Sequence, residues 1–402
     1  MSLKRPCVSR RSFVAGGVAA AAMLGLGPIL AGCAGQSESG SANGGSTPRT
    51  GGPAIAINDS MEELKLVLLD KDVRAACVIV AMARGYYADE KLNIGTPQVV
   101  VGGYAEAMPL LSDGAVDVLP FGVIPTCKYI SRGDNLVIFG GTAMNGSEAL
   151  ALAQSAGKFK KADDFKGAIV ACLDAEVGHM AMKSWLQAQG LKITENPEEV
   201  ADGNADVAFV QMESLSDAVA AVEKGEADMC FADDGQGYQL VQGGKLAVAF
   251  RPHELIGGDL PCCCQSTNRA TFENKKSALV KFEMATIRAM NDIDNDREGA
   301  VRDIMAYSGM PEDSVTATVY GLNDYVSPLR FEVDPHTNDV LNFYDSMVDS
   351  GEMDNTDKGL IAAHLDSRIY KSALDALVAR GDNADFYSSL LDAYEQNNEI
   401  GV

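Results

Sequence analysis

Three consecutive cysteines, Cys262-Cys263-Cys264, are the densest run of thiol chemistry in the chain. A tetrahedral metal site needs ligands that converge, whereas neighbours on a strand point to opposite faces. On a regular strand Cys262 and Cys264 would share one face and Cys263 would take the other. The run continues as Gln265-Ser266-Thr267-Asn268, with no cysteine or histidine to complete a ligand set. Packed thiols are therefore expected ahead of a metal centre. His179, His253, His336 and His364 lie apart without metal spacing. No nucleophile elbow, phosphate loop or dinucleotide fingerprint is present. The expectation is a protein that binds, with no catalytic residue, cofactor or metal.

The other candidates are polar residues and glycines where apolar runs hand over to helical patterns. Asp70, Asp72 and Arg74 form one such handover. Asp72 suits a helix N-cap before a ligand contact. Arg74 suits a pair with an anionic substrate and equally a structural role. Gly102-Gly103-Tyr104 either brings backbone and a ring to a ligand or is a plain turn. Phe121-Gly122 and Thr142 occupy similar places. Glu176, Gly178 and His179 open a helix, where a carboxylate also caps and complements the helix dipole. If Glu176 faces a ligand, it disfavours a sulfonate and favours an amine or ring nitrogen. Asp233-Asp234 points the same way, and Asp234 completes this set.

These handovers need strands and helices to position them. Strands are expected at 64–69, 98–101, 116–121, 136–140, 168–173, 206–211, 227–232 and 246–250. Helical spacing lies between them, at 74–87, 106–113, 179–189 and 215–224, and several helices stop at glycine, as at Gly85, Gly190 and Gly225. This alternation is the pattern of an α/β fold. In such sheets ligands sit beyond the carboxyl ends of strands, where helix N-termini present unpaired amides, and the candidates lie at those ends. After Pro261 the chain is mostly helical. Leu279, Phe282, Ala285, Ala289, Met290 and Ile293 mark one face, Val340, Leu341, Tyr344, Met347 and Val348 another, and Ala373, Leu374, Leu377 and Val378 a third, all read as core.

The first 32 residues read as an address rather than as fold. Lys4, Arg5, Arg10 and Arg11 precede an apolar stretch diluted by glycine, similar to a twin-arginine signal. Leu30-Ala31-Gly32-Cys33 resembles a bacterial lipobox, which implies cleavage, acylation of Cys33 and a membrane tether outside the cytoplasm. Residues 33–60 read as that lipidated cysteine and a flexible linker. Removing residues 1–32 takes away four basic residues and no acids, leaving 29 basic against 56 acidic, a net charge of −27. Such a surface opposes DNA, RNA and anionic lipid. A small anion remains possible at helix N-termini. The length beyond the linker suits two lobes.

Three stretches together resemble the type II periplasmic substrate-binding proteins of ABC importers for nitrate, aliphatic sulfonates, taurine and thiamine pyrimidine precursors. The first runs from Arg84-Gly85-Tyr86-Tyr87 to Gly114-Ala115-Val116-Asp117. The second is Asp164-Phe165-Lys166-Gly167-Ala168-Ile169-Val170-Ala171 with Gly178-His179. The third is Asp259-Leu260-Pro261-Cys262-Cys263. The resemblance implies two α/β lobes joined by two crossover strands, with a helical C-terminal extension. Lobe 1 would be 61–155 and 256–402, and lobe 2 would be 156–255. It further implies a small-molecule ligand in the interlobe cleft, ABC permease subunits as partners, and Glu176, Gly178 and Cys263 at the cleft wall. Two other readings stay open: a ligand-sensing lipoprotein, and an enzyme like the yeast pyrimidine synthase. For the latter Lys71 and His179 are available, but the cysteine cluster is incomplete.

Overall fold

The computed structural model describes residues 54–233 and 236–398; the leader, Cys33 and Asp234 lie outside the described residues. Short aliphatic strands alternate with helices through Phe250. In chain order they are β1 (Glu62–Glu63), β2 (Val67–Leu69), β3 (Leu92–Asn93), β4 (Gln98–Val100), β5 (Leu136–Asn145), β6 (Ser147–Leu152) and β7 (Ala168–Cys172). The later strands are β8 (Ile193–Thr194), β9 (Val207–Gln211), β10 (Met229–Asp233), β11 (Leu246–Phe250), β12 (Pro261–Asn268) and β13 (Leu329–Phe331).

Two sheets result. In the first, β2 pairs in parallel with β4, and the bridges Leu66–Val118 and Leu119–Ser266 lead on to the antiparallel set β12-β5-β13. The strand expected at 116–121 exists only as those bridges. Asp117 there uses its carboxylate on the Lys65 amide and on the Lys275 ammonium, both at 2.8 Å. The second sheet has the order β11-β6-β10-β7-β9-β8, with β6 antiparallel to both neighbours. Its two faces are covered by separate apolar clusters.

Between the sheets the chain crosses twice. β5 is buried along all ten residues, five beyond the expected 136–140, because Gly140-Gly141-Thr142 lowers the hydropathy without interrupting the pairing. Asn145 (φ 67°) and Gly146 (φ 77°) then take left-handed conformations and turn the chain into β6. The change of sheet therefore falls at Gly146, ahead of residue 155, since β6, a strand that the periodicity misses, pairs in the second sheet. The return crossing is β12. Asn145 clasps it: its amide donates to the Leu260 carbonyl at 2.7 Å, and its Oδ1 accepts from the Leu260 amide at 2.9 Å.

The C-terminal helices cover the first sheet. The apolar stripe of the Lys276–Asn295 helix is wholly buried, and Phe282 stacks on Tyr87 with centroids 5.2 Å apart. Burying a side chain of that size contributes roughly 2–3 kcal/mol. Val340, Tyr344 and Met347 of the Thr337–Asp349 helix, and Ala373, Leu374 and Leu377 of the Arg368–Arg380 helix, join the same core. Among the described residues no helix is long and apolar enough to cross a membrane.

Candidate functional site

The first lobe's wall begins where β2 ends. Asp70 is exposed, while Asp72 and Arg74 are buried. Asp72 Oδ1 accepts from the Arg74 amide at 2.9 Å and from its Nε at 3.1 Å, and Oδ2 accepts from Nη2 at 2.5 Å. The guanidinium is thus held by a carboxylate two residues away, and its carbon lies 6.0 Å from the centre of the Tyr104 ring. Gly103 (φ 60°) and Gly122 (φ 57°) precede the helices Tyr104–Ser112 and Val123–Ser131. A Cβ on Gly122 would meet the Tyr104 ring at 2.5 Å, so the ring lies directly on that backbone, with Phe121 buried beside it.

The cysteine run differs from the regular strand expected. Register shifts in β12 on either side of Cys263 bring the Cys262 and Cys263 sulfurs within 3.6 Å, so these neighbours converge instead of facing opposite ways. Burial pushes the Cys263 thiol up, and the Cys262 thiol, the Arg74 guanidinium and the Gly122 amide together outweigh it, leaving the pKa below its ordinary value. Cys264, by contrast, is pushed well up by burial. The seven cysteines of the described residues are buried, and no three His, Cys, Asp or Glu side chains among these residues are grouped as metal ligands would be.

The second lobe's wall is the edge formed by the start of β6 and the ends of β7 and β10; Ser147 pairs with Asp233, and Glu148 with Ala232. Beyond β7, Glu176 caps the Val177–Ala188 helix. Its Oε1 accepts from the Gly178 amide and its Oε2 from the His179 amide, both at 2.7 Å, and only 2% of the residue is exposed. The helix N-terminus, the natural place for an anion, is filled by the chain's own carboxylate. A Cβ on Gly178 would lie 2.0 Å from Ser147 Oγ, so the first turn rests on β6. His179 points into the second lobe, with its ring 6.5 Å from those of Phe209 and Phe231. Thr142 Oγ1 and Ser147 Oγ are buried without hydrogen-bond partners.

The two walls touch. Val177 and Met180 enter the first lobe's apolar cluster, Lys128 Nζ pairs with Asp174 Oδ1 at 2.6 Å, and Ser184 Oγ donates to the Ser346 carbonyl at 2.9 Å. Arg74, Tyr104, Gly122 and Cys263 are brought together on one side. Glu176 and Gly178 lie with Ser147 on the other.

Sequence reasoning missed a second group at this junction: Glu148, Tyr238, Arg251 and Tyr325. Glu148 is 1% exposed and accepts from the Tyr325 hydroxyl at 2.5 Å; Tyr238 and Tyr325 pack edge to face at 5.4 Å. Burial raises the Glu148 carboxyl to about 7, against the opposing pull of Tyr325 and Arg251. The available signal was one acid inside the apolar run Ser147-Glu148-Ala149-Leu150-Ala151-Leu152. A groove of about 570 Å³ runs past Tyr238, Arg251 and Tyr325, and another of about 290 Å³ lies beside Trp185, Leu260 and Phe343.

The architecture matches solved structures. The periplasmic aliphatic sulphonate binding protein SsuA from Escherichia coli aligns with a TM-score of 0.60 at 17% identity, covering 76% of this chain and 92% of that one. The periplasmic nitrate-binding protein NrtA from Synechocystis PCC 6803 aligns with 0.60 at 15% identity, covering 81% and 91%. The desulfurization enzyme DSZB aligns with 0.52 at 11% identity, covering 79% and 99%, so this fold carries both receptors and an enzyme. The chain therefore has the periplasmic-binding-protein fold. A comparison with curated proteins returns no match. The family model described as NMT1/THI5 like matches residues 73–300, more than half of the length, and this chain belongs to that family.

Proposed function

We propose that the protein is a lipid-anchored, extracytoplasmic receptor of an ABC importer, which captures a small organic molecule between its lobes and delivers it to the permease. The observation that carries this reading is the double crossing of β5–β6 and β12, clasped at Asn145 and Leu260, with loops from both sheets meeting across it. Two strands that can bend together while the lobes stay rigid are the mechanical basis of hinge closure. The family membership and the solute-binding neighbours support the same reading. Cys33 behind a signal-like leader supplies the anchor, and residues 34–53 the tether, which ends short of the expected residue 60 because Ile55 packs on the core and the Asn58 amide donates to Ser277 Oγ at 2.8 Å.

In this reading the first lobe contributes Arg74, Tyr104, Gly122 and Cys263, and the second contributes the Glu176–Gly178 turn. The Asp72 carboxylate offsets the Arg74 charge, so the guanidinium orients a ligand without presenting a full positive charge. The test is native mass spectrometry of the full chain, purified in mild detergent from an exporting host, followed by small-angle scattering with the ligand removed and restored. A non-covalent small molecule whose return shrinks the radius of gyration is expected. Chemical conversion of that molecule, or an unchanged radius, would refute the receptor. Loss of fatty-acid labelling in Cys33→Ala checks the anchor separately.

A further inference from the structure

Cys262 and Cys263 are neighbours in β12, the return crossing, and the register shifts on either side of Cys263 turn their sulfurs towards each other, 3.6 Å apart. Cys264 turns away, with its sulfur 3.9 Å from Thr126 Oγ1. Each sulfur of the pair rests on a part of the interlobe site. Cys263 takes the Gly122 amide and lies in the field of the Arg74 guanidinium, in the first lobe's wall. A Cβ on Gly146 would lie 3.0 Å from Cys262 Sγ, so that sulfur packs on the left-handed turn between β5 and β6. The pair therefore connects the ligand wall to the hinge.

A small reagent reaches the pair when the lobes part. Cys262 already keeps 6% of its surface exposed, and Cys263 3%. Pro261, the residue before them, lines the groove of about 290 Å³ between the Val177–Ala188 and Thr337–Asp349 helices. The apolar cluster that holds both cysteines also takes in Val177 and Met180 from the second lobe, so opening removes that part of their cover.

We propose that Cys262 and Cys263 are a reversible redox dithiol, which a small organic disulfide oxidises to a disulfide bond that reshapes the first lobe's wall and the hinge behind it. The Cys263 thiolate attacks one sulfur of the reagent, whose S–S bond breaks and whose other half leaves as a thiolate. Cys262 then gives up its proton and attacks Cys263 Sγ, which forms the protein disulfide and expels the second half. Two cysteine thiols are oxidised, the reagent is reduced to two thiols, and the two cysteine protons end on them. The attacking thiolate is favoured at Cys263 because the Cys262 thiol, Arg74 and the Gly122 amide outweigh the cost of burial. Consecutive Cα atoms lie about 3.8 Å apart, closer than the roughly 4.4–6.8 Å of ordinary disulfides, so this bond is strained and easily reduced. That suits a switch and not a staple. Closing it draws the sulfurs from 3.6 Å to about 2.0 Å, which displaces them from Gly146 and Gly122 and removes the thiolate from beside Arg74. The inference rests on the receptor reading and names a regulation of its site.

The test is peptide-mapped mass spectrometry of the full chain in mild detergent after equilibration with oxidised glutathione or dithiothreitol, with the fluorescence of Trp185, the single tryptophan, read in parallel. Trp185 lines the groove beside Leu260 and Pro261 and so reports on the return crossing. Oxidised glutathione should lower the mass of the peptide carrying Cys262 and Cys263 by two hydrogens and shift the emission, and dithiothreitol should reverse both. Phenylarsine oxide, which clamps paired thiols, should add at this peptide in the reduced chain and not in the oxidised one. Cys264→Ser should keep these responses and Cys263→Ser should lose them. If Cys263→Ser does not fold, the arsenical on the parent chain carries the test. A mixed disulfide that persists, or no arsenical adduct at these residues, would overturn the inference and leave the receptor intact. A disulfide that forms with the Trp185 emission unchanged would also overturn it, since the bond would not reach the hinge. Reversible oxidation with the emission shift, in a chain that chemically converts the molecule it copurifies with, would sustain the dithiol and refute the receptor.

Discussion

Replacing Glu148 by glutamine should make the protein more stable at neutral pH, although the change touches one of its most buried polar groups. Burial is the largest influence on this carboxyl and lifts it from 4.5 to about 7, with Tyr325 and Arg251 pulling the other way. Between those values the folded chain holds a proton that the unfolded chain has released. Stability therefore falls as pH rises through this window, by 1.36 kcal/mol per unit, or roughly 3 kcal/mol in all. Glutamine has the same shape, can still accept from the Tyr325 hydroxyl, and never ionises. Urea unfolding at half-unit steps between about pH 4.5 and 8 should show the parent losing ~3 kcal/mol more than Glu148→Gln across the lower part of the range. The two curves should meet at the acid end and separate towards neutrality. Parallel curves would refute the reasoning, since they would mean that the carboxyl is solvated or fully paired in the native state.

Three further outcomes follow from the same structure. His336 is raised to about 9: burial, the largest influence, lowers it, but Asp339, Glu332 and Asp334 outweigh that. Its contribution is fully present below pH 6.5 and lost as pH rises to about 9, again roughly 3 kcal/mol, and His336→Asn should erase that slope in the same unfolding series. Gly122→Ala places a methyl 2.5 Å from the Tyr104 ring at a φ of 57°, which should cost on the order of 2–4 kcal/mol by thermal unfolding and displace Tyr104; a neutral result would mean that the two helix starts are not packed as described. Glu176→Ala should lose about 1–2 kcal/mol as the cap disappears, and should open the helix N-terminus to sulfate. Sulfate would then raise the melting point of the variant more than that of the parent, and equal effects would show that the terminus stays closed.

Much of the fold was legible in the sequence because it rests on local periodicity. The strands at 168–172, 207–211 and 246–250 and the helices Val177–Ala188 and Leu215–Lys224 fall where apolar spacing and terminal glycines put them. The helices bury one face against a single layer, and these strands are short aliphatic runs bounded by turn residues and covered on both faces, so both patterns survive in one dimension. The C-terminal stripes were readable for the same reason. The candidate site was readable only in part. Glu176 stands at a helix start in sequence and in space alike, because caps act within three residues, whereas Asp72 turns back onto the Arg74 amide and leaves the Ala76–Ala83 helix, whose N-cap is Ala75, without a side-chain cap.

What the sequence determined by itself is therefore the alternating α/β architecture, the acidic surface and the list of loops at the strand ends. Only the tertiary structure decided the rest. β6 carries no periodic signal, because it is covered on both faces and flanked by two neighbours, and its place depends on the left-handed turn at Asn145-Gly146. The Cys262–Cys263 approach depends on bulges set by pairing with β5, which a spacing rule for regular strands cannot contain. Glu148, Tyr238, Arg251 and Tyr325 lie up to 177 residues apart and meet only when the lobes dock. Desolvation is a property of the assembled junction, and it makes an ordinary glutamate in an apolar run a carboxyl that titrates near neutrality.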